Sequence, residues 1–430
     1  METGTPTDSQ ASKIGLSIIQ FLLKDYHPRD FAVRLWDGST WDTEVGQPRR
    51  FTMAIRHPGA IRNMFSTQGE RALGQAYIYD DFDIEGDLHC AFPMAEHLSR
   101  LRLSIADKLR LASLLLRLPP ASATQQGRQA ASLKGKLHSI ERDREAVSYH
   151  YNTSNDFFAL YLDQRMVYSS AYFSAPDEEL DIAQERKLDY ICRKLRLQRG
   201  ERLLDIGCGW GGLIIHAVEK YGVSALGVTL SEPQAALANE RIRQRGLADR
   251  CRVEVRDYRQ IDGPGSFDKV ASIGMVEHVG EQLLPEYFRQ AWRLLRPGGA
   301  FLNHGIGYRR DPSRDTRRSF SQAFVFPDSD PVAVDISNRI AEDAGFETRD
   351  VECLREHYML TLRHWVRRLE SHHEEAARLT NEATYRTWRL YMSASARAFE
   401  TGVYNIYQTL LVKPDRGQSG LPLTRADWYQ

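Results

Sequence analysis

Between about residues 200 and 305 of this 430-residue chain, short apolar runs alternate with stretches of helical spacing. Leu203 to Ile206, Ala225 to Leu230, Cys251 to Val255, Phe267 to Ser272 and Ala300 to Asn303 read as strands, and Leu213 to Tyr221 carries the apolar period of a helix. The alternation predicts an α/β fold with a doubly wound, Rossmann-like parallel sheet and right-handed connections. Upstream, Ile14, Ile18, Ile19, Leu22 and Leu23 line one face of a helix, and Phe31 to Trp36 with Asp37-Gly38 reads as a strand entering a hairpin. Residues 12–97 are thus expected to form a small α+β domain. Within it Tyr77 to Tyr79 is expected to be a strand leaving into an acidic surface turn. Downstream, Tyr358 to Ala398 predicts a long helical region with Leu362, Trp365, Val366 and Leu369 on one face, and Tyr404 to Val412 a closing strand.

Composition narrows the picture. Lys plus Arg and Asp plus Glu number 57 each, so no overall basic character points to nucleic acid. Five scattered cysteines, Cys90, Cys192, Cys208, Cys251 and Cys353, form no C-x-x-C pair. Neither a disulfide framework nor a metal site is expected, and a reducing, cytoplasmic compartment fits. The start lacks a signal-peptide pattern and no apolar run approaches the ~20 residues of a membrane span, so a soluble or peripheral protein is expected. The acidic run Asp81-Phe-Asp83-Ile-Glu85-Gly86 imitates a calcium loop, but Phe92 stands where the bidentate Glu belongs. Residues 98–146 read as a basic helical linker. Arg100, Arg102, Lys108, Arg110, Arg117, Arg128, Lys134, Lys136, Arg142 and Arg144 there face only Asp107, Glu141, Asp143 and Glu145. Leu101, Ile105, Leu109, Leu111, Leu114, Leu115 and Leu118 supply an apolar face, so the segment suits either an anionic membrane surface or packing on a neighbouring domain.

Chemistry concentrates at the expected strand ends. The strand ending in Asp205-Ile206 runs into Gly207, Gly209, Gly211 and Gly212, a turn in which the backbone can approach a ligand closely. No Gly-Lys-Ser/Thr follows to hold a triphosphate, and the Asp before the glycines makes the spacing look like the first motif of S-adenosylmethionine-dependent methyltransferases. Ligands of doubly wound sheets bind outside the carboxyl ends of the strands. That rule adds Thr229 to Gln234, Asp257-Tyr258, Glu277-His278 and His304. The second strand ends without the acid that often binds a ribose; Thr229, Ser231 and Gln234 offer neutral hydrogen bonds instead.

Tyr168-Ser169, Leu203 to Gly212, Gly227-Val-Thr-Leu-Ser231 with Gln234, Gly274-Met-Val-Glu-His-Val-Gly280 and Leu294-Leu-Arg-Pro-Gly-Gly299 together resemble the cyclopropane-fatty-acyl-phospholipid synthase family from about Val147 to Val412. Ala72 to Leu88 resembles the amino-terminal domain of its long, phospholipid-acting members. The resemblance implies a methyltransferase domain over 147–413, a helical cover lining an acyl channel, and a tail over 414–430. It implies methyl transfer from S-adenosylmethionine to a cis double bond of a membrane phospholipid acyl chain, then ring closure with bicarbonate as base. Positions matching the cofactor site are Tyr168, Ser169, Asp205, Gly207, Gly209, Gly211, Thr229, Gln234, Asp257 and Tyr258. Those matching the bicarbonate site are Ser170 through its backbone, Glu277, His304, Ile306 and Tyr358. Ser170 and Ser395 stand where the family usually has Cys, so a catalytic thiolate is not available at either place. The resemblance also implies location at the inner face of the membrane, with a homodimer an open option. Three alternatives stay open: a fatty-acid C-methyltransferase giving a methyl or methylene branch, a small-amine methyltransferase, and a non-catalytic lipid- or cofactor-binding protein.

Overall fold

The computed structural model describes residues 8–66, 70–120, 126–151, 153–309 and 319–429. The chain divides into two compact units, the first comprising residues 1–130, 317–324 and 380–397, the second residues 131–316, 325–379 and 398–430. The partition therefore does not follow the chain order read from the sequence. Two segments from within the stretch 147–413 belong to the first unit.

In the first unit, helix α1 (Asp8–Leu22) buries Ile14, Ile18, Ile19 and Leu22, the predicted apolar face. Strands β1 (Phe31–Arg34), β2 (Thr40–Trp41), β3 (Phe51–Ile55) and β4 (Phe82–Gly86) form a sheet in the order β2-β1-β3-β4. Helices α2 (Ala60–Ser66) and α3 (Glu70–Ile78) join β3 to β4; α4 (Phe92–Arg100) and α5 (Ile105–Leu116) follow. The expectation for Tyr77 to Tyr79 is overturned: Tyr77 and Ile78 end helix α3, and the acidic run is itself strand β4. Phe82 and Ile84 point inward and Glu85 outward, a period of two that the flanking acids disguise. In the turn between α3 and β4 Asp80 is exposed, as expected, but its neighbour is not. Asp81 is buried and accepts from His57 Nε2 (2.9 Å) and Asn63 Nδ2 (3.0 Å). Buried Arg386, from the segment 380–397, donates to Tyr77 O (2.7 Å) and Phe82 O (2.6 Å), satisfying carbonyls where α3 gives way to β4.

In the second unit, α6 (Ile140–Tyr151), α7 (Asn155–Ala159) and α8 (Leu180–Leu195) precede the sheet. The alternation β5 (Arg202–Ile206), α9 (Gly212–Tyr221), β6 (Ser224–Thr229), α10 (Glu232–Gln244), β7 (Cys251–Val255), β8 (Phe267–Ile273), α11 (Leu284–Leu294), β9 (Leu295–Tyr308) then appears as predicted. The rest is α12 (Phe320–Phe324, in the first unit), α13 (Val334–Asp343), β10 (Glu347–Cys353), α14 (Arg355–Ser371), α15 (His373–Leu379), α16 (Glu382–Glu400) and β11 (Tyr404–Val412). The region 358–398 is thus helical as expected, in three helices. The seven strands run β7-β6-β5-β8-β9-β11-β10, parallel from β7 to β9, with β11 antiparallel to both its neighbours.

The central strands feed two cores. Leu203 packs with Leu188 and Ile191 of α8 and Ile214 of α9, while its neighbour Leu204 packs with Tyr287, Phe288 and Ala291 of α11. Successive side chains of a strand face opposite ways, and each fully buried Leu or Ile contributes roughly 1.5–3 kcal/mol. The chain order reverses at β5: β6 and β7 lie on one side, β8 and β9 on the other. A crevice is expected at the carboxyl ends of β5 and β8. No helix among the described residues is long and apolar enough to cross a membrane.

Candidate active site

The glycine turn sits at that reversal. Gly207, Gly209 and Gly211 have φ of +80°, +53° and +79°, a backbone that favours glycine. The amides of Gly207 and Cys208 both donate to Val228 O (3.0 Å each), tying the turn to the end of β6. A Cβ at Gly209 would meet nothing within 4 Å, because this residue faces a cavity. Of about 150 Å³, the cavity is lined by Gly207, Gly209, Thr229, Gln234, Asp257 and Tyr258. A second opening of about 80 Å³ shares both glycines and adds Tyr168, Ser169 and Asp205. The structure thus brings nine of the ten cofactor candidates together. Gly211 lines neither opening. It precedes α9, and a Cβ there would lie 3.3 Å from Ala238 Cβ, so it serves helix packing.

Local bonds shape this lining. Thr229 Oγ1 donates to Gln234 Oε1 (2.8 Å), and the Ser231 hydroxyl accepts from Gln234 N at the start of α10. Arg259 clamps Asp257 through both carboxylate oxygens, at 2.8 and 2.7 Å. Trp210 donates to Asn155 Oδ1 (2.8 Å), which anchors the turn to α7. Asp205 is 2 % exposed, and burial pushes its carboxyl up to about 7 against the opposing charge of Lys187. Its Oδ1 has no hydrogen-bond partner among the described residues.

Glu277 lies in a short turn, Val276–His278, just after β8. Burial pushes its carboxyl up to about 7, against the opposing pull of its own backbone N–H and that of Ile306. Glycine at 305 makes this place: a Cβ there would lie 2.0 Å from Val276 Cγ1 and 3.3 Å from Glu277 Oε2. His304 is fully buried in β9 and held neutral, its pKa driven well down first by burial and then by the charges of Lys187 and Lys194. Glu277 Oε2 and His304 Nε2 are both buried without a hydrogen-bond partner among the described residues. Tyr358 is buried on α14, its ring centroid 4.7 Å from that of Phe399. Ser170 is fully buried and its hydroxyl donates to Ala171 O (3.0 Å), while Ala171 N donates to Thr361 Oγ1 of α14 (3.0 Å). Trp365, also on α14, sets its ring 5.1 Å from that of Tyr168. Ser395 is half-buried on the part of α16 that belongs to the first unit.

A family model described as mycolic acid cyclopropane synthetase matches residues 138–409. The chain is 40% identical to a probable fatty acid methyltransferase of Pseudomonas putida, over 93% of this chain and 96% of that one. The chain belongs to the mycolic acid cyclopropane synthetase family. It is 34% identical to the tuberculostearic acid methyltransferase UfaA1 of Mycobacterium tuberculosis, over 86% of this chain and 85% of that protein. The solved structure of mycolic acid cyclopropane synthase CmaA1, complexed with SAH and CTAB, aligns with a TM-score of 0.58 at 32% identity, covering 62% of this chain and 97% of its own. The chain is accordingly an S-adenosylmethionine-dependent methyltransferase.

For a synthetase-family site, the glycine backbone facing open space and the unpartnered Asp205 Oδ1 fit an amino-acid-bearing nucleoside. Three side chains at this site lie outside the sequence reading. Lys187, Gln408 and Arg259 are charged or polar residues in ordinary helix, strand and turn positions, where nothing in the pattern marks them. His278, held neutral by burial with its pKa near 4, lines the larger cavity beside Tyr151 and Phe326.

Proposed function

We propose that this methyltransferase alkylates a cis double bond of an unsaturated phospholipid acyl chain and closes a cyclopropane ring, with bicarbonate as the base. S-adenosylmethionine, when bound, supplies an electrophilic methyl group. Transfer of that methyl leaves a carbocation on the neighbouring acyl carbon, and the ring closes when a base removes a proton from the new methyl. The observation that carries the reading is the pair of buried, unpartnered polar atoms, Glu277 Oε2 and His304 Nε2. A buried polar atom is costly to leave unpaired, by roughly 1–3 kcal/mol, which supports a polar guest at this place. Neutral His304 can donate to an oxygen of a small anion, and Glu277 can accept from its hydroxyl. The backbone at Ser170 and the Tyr358 hydroxyl are the further holders implied by the resemblance. Apolar and aromatic surroundings, with Trp365 over Tyr168, would keep water from the cation.

A second reading, a methyl- or methylene-branched product, draws on the names of the two relatives given above, both fatty acid methyltransferases. The test is an assay of purified protein with unsaturated phospholipid vesicles and S-adenosylmethionine, with and without bicarbonate. Ring formation that falls on bicarbonate depletion supports the first reading; a retained double bond in a heavier chain supports the second.

We further propose that α5 docks on an anionic bilayer. Its apolar residues split into two faces. Leu115 and Leu118 turn inward, while Ile105, Leu109 and Leu116 are 80, 68 and 71 % exposed, spaced as one outward stripe. Exposed Arg102, Lys108, Arg110 and Arg117 accompany it. Apolar residues that insert and cations that meet lipid phosphates make such a helix suited to the interface. Not all of the basic stretch contributes: Arg142 is paired with Asp328 (2.6 Å), and Arg128 lies over the Trp388 ring.

A further inference from the structure

The Tyr168-Ser169 segment is held by two buried polar side chains of α8, one turn apart. Gln184 Nε2 donates to Val167 O (3.2 Å) and Ser169 O (2.9 Å); Lys187 Nζ donates to Ser169 Oγ (2.9 Å). Lys187 is 1 % exposed and lines the same opening as Ser169, Asp205 and Gly209. A lysine is almost never buried this far unless it is paired. The charged and titratable groups that act on it or feel it are Asp163, Asp205 and His304. Asp163 is committed to its own loop, accepting from Val167 N (2.8 Å) and Arg165 N (2.9 Å). Asp205 is not, since Oδ1 has no partner. Burial pulls Lys187 down to about 7 and pushes Asp205 up to about 7, and each opposes the other's shift by favouring its charged form.

We propose that Lys187 is a positioning residue for the amino-acid end of the methyl donor, orienting the Ser169 hydroxyl in the opening that Asp205 also lines. The amino-acid end carries a carboxylate and an ammonium. With a lone pair of Ser169 Oγ occupied by the lysine, the hydroxyl proton is left to donate to a carboxylate oxygen. Asp205 offers its buried Oδ1 to an ammonium N–H. A lysine that merely filled space would support every part of the ligand equally, whereas one acting through Ser169 supports the amino-acid end alone.

Calorimetric titration with two ligands separates these roles. S-adenosylhomocysteine has the nucleoside and the amino-acid end; 5′-methylthioadenosine has the nucleoside only. Lys187→Met is expected to weaken S-adenosylhomocysteine about tenfold or more and 5′-methylthioadenosine by no more than about twofold. Ser169→Ala, which leaves the lysine in place, is expected to show the same selectivity with a smaller loss, and it carries the comparison should Lys187→Met not fold. Equal losses for the two ligands, or unchanged S-adenosylhomocysteine affinity in both variants, would overturn the proposal. Failure of the native protein to bind either ligand would remove the cofactor site itself, and this role with it.

Discussion

Gln408 Nε2 lies 3.4 Å from His304 Nδ1, directly across the pairing of β11 with β9. Both side chains are fully buried. An amide N–H aimed at Nδ1 makes that nitrogen the acceptor, which leaves the imidazole proton on Nε2, the atom without a protein partner. Gln408→Leu keeps the volume and removes the amide. The expected result is turnover lower by roughly tenfold, with S-adenosylhomocysteine affinity within about twofold of native. Unchanged turnover would mean that the tautomer of His304 does not matter.

Glu277 separates stability from activity. Burial raises its carboxyl from 4.5 to about 7, so the folded chain holds a proton that the unfolded chain has released across that window. Stability from this group is therefore complete below about pH 4.5 and falls as pH rises towards 7. Glu277→Gln is expected to match the native protein near pH 4 and to exceed it by up to roughly 3 kcal/mol above pH 7, while losing about a hundredfold in turnover. Thermal melts across pH beside initial rates check this. A variant less stable than native at pH 8 would contradict the assigned burial.

The parallel sheet was legible because apolar runs and glycine turns dictate it locally. Leu203-Leu204 serves two cores at once, which makes a run rather than an alternation, and that is the mark of a strand covered on both faces. Strand β4 was not legible. Asp83 and Glu85 alternate with Phe82 and Ile84, but Asp81 before them is buried for reasons that lie in His57 and Asn63, far off in sequence. The cofactor turn could be read from its glycines. Lys187 could not, since a helical lysine reads as solvent-facing until the Ser169 segment is seen to fold over it. Helix α5 was read as having one apolar face, because the period alone does not say which leucines find a core.

Serine at the two positions where a cysteine is familiar is expected to cost little. The Ser170 hydroxyl donates to the adjacent carbonyl of Ala171, and a serine hydroxyl so engaged is a poor nucleophile. Ser170→Ala and Ser395→Ala are expected to keep turnover within about threefold of native. Initial rates with saturating S-adenosylmethionine provide the check, and an inactive Ser395→Ala would assign that residue a direct role.

Membrane docking through α5 has a signature in vesicle cosedimentation. Ile105→Ser, Leu109→Ser and Leu116→Ser together are expected to weaken binding to anionic vesicles about tenfold or more without lowering the melting temperature, since all three side chains are exposed. Raised salt is expected to weaken the native protein likewise, through screening of Lys108, Arg110 and Arg117. Binding indifferent to both would leave α5 without this role.

The central claim is methyl transfer to an acyl double bond followed by proton loss from the transferred methyl. It is tested most directly with S-adenosylmethionine carrying a fully deuterated methyl group, unsaturated phospholipid vesicles, and mass spectrometry of the released acyl chains. The account predicts a heavier chain that has lost its double bond and one of the transferred deuteriums. A chain that retains every deuterium, or one that takes up no label, would contradict it.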